Sequence, residues 1–595
     1  MTTEPIHPYQ DAGRDVDQRV EDLLGRLPLE SKVALMFQTV APVGDIHAAD
    51  PLLNLPPAYD LLNLGITHLN LMGSAPDGRG FAQWSNSLQK IALARPYAIP
   101  ISFSTDPRHH FGDNPLTQMF SGSFSQWPET LGLAALRSED LVRRFADIAR
   151  QEYLAVGIRV SLHPQVDLST ESRWSRINTT FGEDADLTSR LVAAYIRGFQ
   201  GDALGPASVS TMTKHFPGGG PQLDGNDPHF PWGREQVYPG DNFEYHLKPF
   251  RAALAAGARQ IMPYYGMPVG TPHEEVGFSF NRSVITGILR DQLGFDGIVC
   301  TDWCIVSDNP ALGEEDWRAR AWGVEHLTRD ERLIKVLDAG VDQFGGEHCV
   351  DALVDLVKRG AVTEERIDRS ARRLLREKFL LGLFDDPYVD EDHAAVTIGH
   401  ADFMAEGRRA QQASVTLLTN GQAGDGPTLP LTRGLRVYTE GLSDDALDGY
   451  AERVSDPADA DVAILRLTAP FEPSPRPGMA QFFHHGSLEF PAGQREHILD
   501  VCRTTPTVVD VYLDRPAVLG QIAAQASALL VNFGIVEPAL VELLFGAAAP
   551  QGRLPFDLPR SDAAVAASRT DVPFDTADPQ FRFGAGLDFP TTGTA

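Results

Sequence analysis

Short runs of apolar and β-branched residues recur through the first half of the chain. They fall at 66–71, 99–103, 158–162, 209–213, 260–264 and 297–301. Between and beyond them lie longer stretches whose apolar positions return every three or four residues, among them 139–156, 186–201, 245–256 and 367–381. A short apolar run bounded by turn formers reads as a buried strand, and the three-to-four spacing as the apolar face of a helix. Strand and helix in alternation build βαβ units around a parallel sheet. Over residues 1–384 the number of units suits a (β/α)8 barrel with long βα loops, the loops that carry chemistry. Ahead of the first run, 15–38 reads as two helices parted by Pro28, with Val16, Val20, Leu23 and Leu24, then Val33, Leu35 and Met36, at helical spacing.

The pattern lapses over 385–410, where an acidic stretch with poor periodicity reads as a linker. A second α/β series follows over 411–595, with strands expected at 414–419, 435–439, 461–467, 507–513 and 528–533 and a helix at 493–502. The Gly/Ala/Pro-rich 545–554 reads as a turn region. The expected fold is therefore a TIM-like barrel followed by a smaller α/β three-layer sandwich domain. With 595 residues the chain exceeds what one core organises, which agrees with that division.

Charge and cysteine content narrow the function classes. A formal net charge of −29 disfavours nucleic acid and anionic membranes as partners, and leaves a neutral small molecule open. Four cysteines in so long a chain are no disulfide framework, and their spacings match no zinc motif. The first seven residues lack a basic and an apolar region, and no apolar run approaches the ~20 residues of a membrane span. A cytoplasmic, reduced protein is expected.

The stretch 293–303 carries the sharpest chemical signal. Ile298, Val299 and Cys300 form a Gly-flanked apolar run that stops on Asp302 and Trp303. Catalytic groups of barrels sit at the C-terminal ends of strands, so Asp302 stands where a reacting carboxylate belongs, with Trp303 a flat face for a sugar ring. The competing reading is a helix cap. Gly218, Gly219 and Gly220 lack the Gly-Lys-Ser/Thr continuation of a phosphate loop. The adjacent pairs His109-His110 and His484-His485 are poorly placed for one metal, although the second follows Gln481-Phe482-Phe483 and could line a cleft. Neither a metal nor an organic cofactor is expected.

Several segments, in one order, resemble glycoside hydrolase family 3 of the two-domain β-glucosidase type. They are Arg19 to Leu24; Arg173-Trp174-Ser175-Arg176 followed by Phe181-Gly182-Glu183-Asp184; Lys214-His215-Phe216-Pro217-Gly218; and Asp302-Trp303. Arg373 to Phe384 resembles the end of the family's first domain, and 552–556 with 583–587 the end of its second. The resemblance implies a retaining exo-acting β-glycosidase, a β-D-glucosidase in first place, working by double displacement. It makes Asp302 the nucleophile. It puts Asp106, Arg173, Lys214 and His215 on the hydroxyls of the terminal sugar, with Trp303 beside them. Tyr264, at a strand end, is expected near Asp302, the alternative being a buried barrel tyrosine. Glu183 and Asp184 read as structural, orienting Arg173 or capping a helix.

For the acid/base residue the choice falls on Glu472, which follows Pro470-Phe471 after strand 461–467; Glu489 and Glu440 are weaker candidates. The resemblance also offers a rival. The family's β-N-acetylglucosaminidase branch uses an Asp-x-His dyad on the loop after Lys-His, and this chain has Asp227-Pro228-His229 there with a spacing two residues longer. That branch carries Asp-Asp at the nucleophile, whereas this chain has Asp302-Trp303, so the glucosidase type ranks ahead and His229 is assigned to a plus-side subsite. A β-xylosidase, a phosphorylase and a non-catalytic sugar-binding homologue rank lower. The expected partner is a small glycoside or oligosaccharide, and a homodimer is left open.

Overall fold

The computed structural model describes residues 7–51, 54–112, 114, 117–309, 318–421, 427–475 and 478–589. Residues 1–6, six of the seven read above as lacking a basic and an apolar region, lie outside the described residues, as do Arg476 and Pro477 beyond Glu472.

Among the described residues eight parallel strands form the barrel of the first domain: β1 (Phe37–Pro42), β2 (His68–Met72), β3 (Ser102–Thr105), β4 (Ile158–Ser161), β5 (Ser210–Phe216), β6 (Gln260–Pro263), β7 (Ile298–Val299) and β8 (Phe344–Gly345). Each pairs in parallel with the next from β1 to β7, and β8 pairs with β1. A parallel bridge between Cys300 and Gln343 joins β7 to β8 and closes the barrel. Helices lie between successive strands, and their starts follow from local chemistry. Ser138 accepts from the Leu141 amide at 3.2 Å to open Glu139–Ala155, and Asp184 accepts from Leu187 at 2.6 Å to open Ala185–Gln200. Asp184 is thus a cap, as one of its two expected roles had it.

Six strands coincide with the apolar runs read from the sequence. β1 and β8 were not expected. Met36, assigned to a helix, is the cap between Leu29–Leu35 and the strand that starts at Phe37. β8 is two residues long and carries no alternation to detect. Inside the barrel Val160, Leu162, Met212, Met262 and Cys300 form a buried cluster with Trp303 packed on it. That plug fills the interior and leaves the C-terminal mouth for the site.

The segment 385–410, read as a linker, is largely helical: Glu391–Thr397 and Ala401–Ser414. Its acidic residues include the cap Asp390, which accepts from Asp392 and His393 amides. The short apolar face of Glu391–Thr397, with Ala394 buried, packs on the barrel helix Gly78–Leu93. The second domain holds six strands, β9 (Thr416–Asn420), β10 (Arg436–Glu440), β11 (Glu452–Val454), β12 (Val462–Thr468), β13 (Thr507–Tyr512) and β14 (Ala528–Asn532), in the order β9-β14-β13-β12-β10-β11. Only the β9–β14 pairing is antiparallel. The edge strand β11 escaped notice because Glu452 and Arg453 are exposed and polar.

Candidate active site

All eight strand ends feed one cavity at the barrel mouth, with about 910 Å³ of atom-free space including its open entrance. Val40, Asn70, Asp106, Leu162, Lys214, Met262, Asp302 and Gly346 reach it, one from each strand or its end. Asp302 is buried. Its Oδ1 accepts the Trp303 amide at 2.9 Å, while Oδ2 has no hydrogen-bond partner among the described residues. A buried carboxylate oxygen without a partner is costly unless something binds there. Trp303 lines the same cavity.

Two neighbouring residues of β5 both face it. Strict alternation would send Lys214 and His215 to opposite faces, but the register shifts between Lys214 and Phe216 and breaks the alternation. Lys214 Nζ donates to Asp106 Oδ1 at 2.9 Å, and Asn70 Nδ2 donates to Oδ2 at 3.3 Å. The pair makes a polar floor with donors and an acceptor for adjacent hydroxyls.

His215 is held on both nitrogens. Its Nδ1 lies 2.7 Å from Asp167 Oδ2, and Arg176 Nη1 donates to its Nε2 at 3.0 Å. The guanidinium has only protons to give, so Nε2 is the acceptor and Nδ1 carries the hydrogen. Burial, then Arg176 and Lys214, push the His215 pKa far down and keep the ring neutral. Burial raises the Asp167 carboxyl to about 6, against hydrogen bonds from the Gly219 and His215 amides that pull it down. His215 Nε2 stands 3.9 Å from Asp302 Oδ2. Arg176 loses some basicity to burial, but Tyr264, Asp227 and Asp302 more than restore it. Arg176 is thus a buried cation of the cavity that interacts with Asp302, and Lys214 and Arg320 line the cavity with it.

Arg173, the arginine chosen from the sequence, is not in the lining. Its guanidinium forks onto Glu171 at 2.8 and 2.9 Å and reaches Asp224 at 3.5 Å. The Arg-Trp-Ser-Arg segment offers two arginines three residues apart, and the loop conformation turns the second inward. Tyr264 likewise sits beneath the site: its ring centroid is 4.3 Å from that of His215, and its hydroxyl donates to Asp227 Oδ2 at 3.2 Å. Its neighbour Tyr265 lines the cavity and accepts the Trp303 amide at 2.8 Å. Asp167 and Tyr265 were also missed. Each follows a strand end, as Asp302 does, which is the signal that could have found them.

The loop after β5 brings in the last pair. His229 lines the cavity, with Nδ1 2.6 Å from Asp227 Oδ1. Trp174 Nε1 donates to Asp227 Oδ2 at 3.1 Å, so that carboxylate is fully engaged. Nδ1 of His229 is spent on Asp227, which leaves Nε2 for the cavity. Burial lowers the His229 pKa, and Asp227 recovers only part of the loss. Burial alone would raise Asp227, but His229 and Arg176 outweigh it and hold the carboxyl low and ionised.

Glu472 does not join them. It is exposed and outside the lining, with its amide donating to the His485 carbonyl and its carboxylate 3.5 Å from the Ser487 amide. Its loop does reach the site, but through Met479. Glu440 is bound to Tyr438 and His497, and Glu489 to Arg495, and neither lines the cavity. His484 pairs with Asp514 and stacks on Phe471, while His485 lines a neighbouring pocket. Among the described residues no group of three or more His, Cys, Asp or Glu could hold a metal.

One anion with a vacant oxygen, neutral and charged nitrogens around it, and a polar floor are the parts of a carbohydrate site. Comparison with known proteins agrees. Residues 65–377 match the glycosyl hydrolase family 3 N terminal domain and residues 331–589 its C-terminal domain. A probable beta-glucosidase C of Aspergillus flavus is 48% identical over 585 residues, 98% of this chain and 92% of that protein. A periplasmic beta-glucosidase/beta-xylosidase of Dickeya chrysanthemi is 39% identical over 98% of this chain and 91% of its own length. The solved structure of a β-glucosidase from Erythrobacter marinus superposes with a TM-score of 0.79 at 22% identity, covering 98% of this chain and 84% of that one, and so shares the fold. Two matched domains in the order the barrel and sandwich take, and near-full-length identity to such relatives, place this chain in glycosyl hydrolase family 3.

Proposed function

We propose that this chain is a retaining, exo-acting β-D-glucosidase, with Asp302 as nucleophile and His229, held by Asp227, as acid and base. The observation that carries the reading is the vacant Oδ2 of buried Asp302, in one cavity with the Lys214–Asp106 floor and with His229. The names of the relatives support glucose as the terminal sugar, although one of them also acts as a beta-xylosidase.

In the first step Asp302 Oδ2 attacks the anomeric carbon, the glycosidic C–O bond breaks, and the proton on His229 Nε2 goes to the leaving oxygen. The positive imidazolium form is stabilised by Asp227. In the second step water attacks the anomeric carbon, its proton passes to His229 Nε2, and the bond to Asp302 breaks to release the sugar. The Lys214–Asp106 floor stops the chain of sugars at one residue, which supports exo action. His229 replaces Glu472 in this reading because Glu472 lies outside the cavity. Four unpaired cysteines support the expected reducing, cytoplasmic location.

Trapping with a 2-fluoro-glucoside of a good leaving group, followed by peptide mapping, should place the adduct on the peptide holding Asp302. Turnover with no adduct, or an adduct on another residue, would sink the assignment.

A further inference from the structure

Immediately beyond β13, Arg515 is fully buried. Among the described residues it forms no ion pair. Its two terminal nitrogens donate instead to five backbone carbonyls. Nη2 reaches Pro470 at 2.6 Å and His485 and Ser487 at 3.0 Å, and Nη1 reaches Gly486 at 3.1 Å and Arg173 at 3.2 Å. Four of these carbonyls belong to the two ends of one loop that leaves β12 and returns before the helix Ala492–Thr504. The fifth belongs to the barrel, three residues before Arg176.

A buried guanidinium normally takes a carboxylate. Here carbonyl dipoles solvate the charge, with the carboxylates of Asp514, Asp562 and Glu472 acting on it from further off, and the planar fork ties together three backbone segments. What hangs between the tied ends matters for the reaction. Met479 lines the sugar cavity. The Phe483 ring stands 5.0 Å from that of His229 and 5.2 Å from that of Phe230. Phe230 stacks on Trp232 at 4.8 Å. Phe483, Phe230 and Trp232 line a neighbouring pocket with Asp227, a pocket that Lys214 and Asp106 do not reach. With the terminal sugar on the Lys214–Asp106 pair, that pocket is the space for whatever is attached to it. The barrel touches the loop tip once more, where Asn114 Nδ2 donates to the Phe482 carbonyl at 3.0 Å.

We infer that Arg515 is the positioning residue of the leaving-group side: it fixes the loop whose Met479 and Phe483 wall the space for the aglycone. The inference rests on the reading that Asp302 marks the place of the terminal sugar. It requires that Arg515 act on substrates in proportion to how much leaving group they carry.

The test compares Arg515→Lys and Phe483→Ala with wild type on three substrates. β-Glucosyl fluoride has a one-atom leaving group. 2,4-Dinitrophenyl β-glucoside has a large one that departs without protonation. Cellobiose has a large one that needs it. For both variants kcat/KM should fall by roughly tenfold or more on the dinitrophenyl glucoside and cellobiose, through KM, while the fluoride stays near wild type. A fall on cellobiose alone would mean that the loop serves the proton donor, and would overturn the inference. Equal falls on all three substrates, or none, would overturn it too. Should Arg515→Lys fail to fold, Phe483→Ala decides alone by the same criteria. Failure of the underlying reading is distinct, since wild type would then release no glucose from the fluoride.

Discussion

His229 and Glu472 compete for one role, and their surroundings separate them. The imidazole lies in the cavity on a carboxylate that fixes its tautomer; the carboxylate of Glu472 is in solvent. Loss of a general acid costs ~10²–10⁴-fold. His229→Ala should therefore lower kcat/KM for cellobiose by that order and for the dinitrophenyl glucoside much less, while Glu472→Ala stays near wild type. The reverse result would restore Glu472. The pH profile gives a second check. The acid must be imidazolium, and burial holds the His229 pKa below its ordinary 6.5. Raising the pH through that depressed value removes the proton, so the alkaline limb of kcat/KM should fall below 6.5 and vanish in His229→Ala. An alkaline limb well above that value would speak against His229.

Loops, rather than strands, decide which side chains meet. The segment after β5 crosses the loop after β4 so closely that a methyl on Gly220 would lie 1.8 Å from the Leu168 carbonyl oxygen. The Gly219 amide fastens the same loop by donating to Asp167 at 2.5 Å. Asp227 and His229 lie downstream on that loop. Gly220→Ala must push the backbone off the Leu168 loop, and a shift near 1 Å in a catalytic group can cost on the order of 10²-fold. We expect kcat/KM for cellobiose to fall by that amount while β-glucosyl fluoride is less affected; unchanged cellobiose kinetics would refute the argument. The acidic stretch before β9 teaches the same lesson in the other direction. Its apolar positions are too few for a visible period, yet Asp390 caps a helix there and Ala394 finds a partner on the barrel.

At the scale of the whole molecule, buried groups stitch the two domains. Glu183, at the start of a barrel helix, accepts the amides of Asp557 at 2.6 Å and Phe574 at 2.8 Å. Burial lifts its carboxyl to about 8, more than those two hydrogen bonds pull it down. A carboxyl whose folded value is raised holds a proton that the unfolded chain releases near 4.5. Its contribution is present in full below that value and is lost as pH rises towards about 8. Glu183→Gln should flatten the fall in thermal midpoint between those two pH values; an unchanged slope would count against it. The local pattern of the chain already determined six barrel strands, five strands of the sandwich, and the carboxylate that ends β7. Periodicity and strand ends are local, and neighbouring residues report them. Tertiary structure alone chose Arg176 over Arg173, Tyr265 over Tyr264 and the cavity place of His229 over Glu472, and it closed the barrel through β8, a strand too short to read. Those choices turn on irregular loops, where no period says which way a side chain points. They turn also on contacts such as Arg515 with Arg173, which join residues hundreds of positions apart through the packing of two domains.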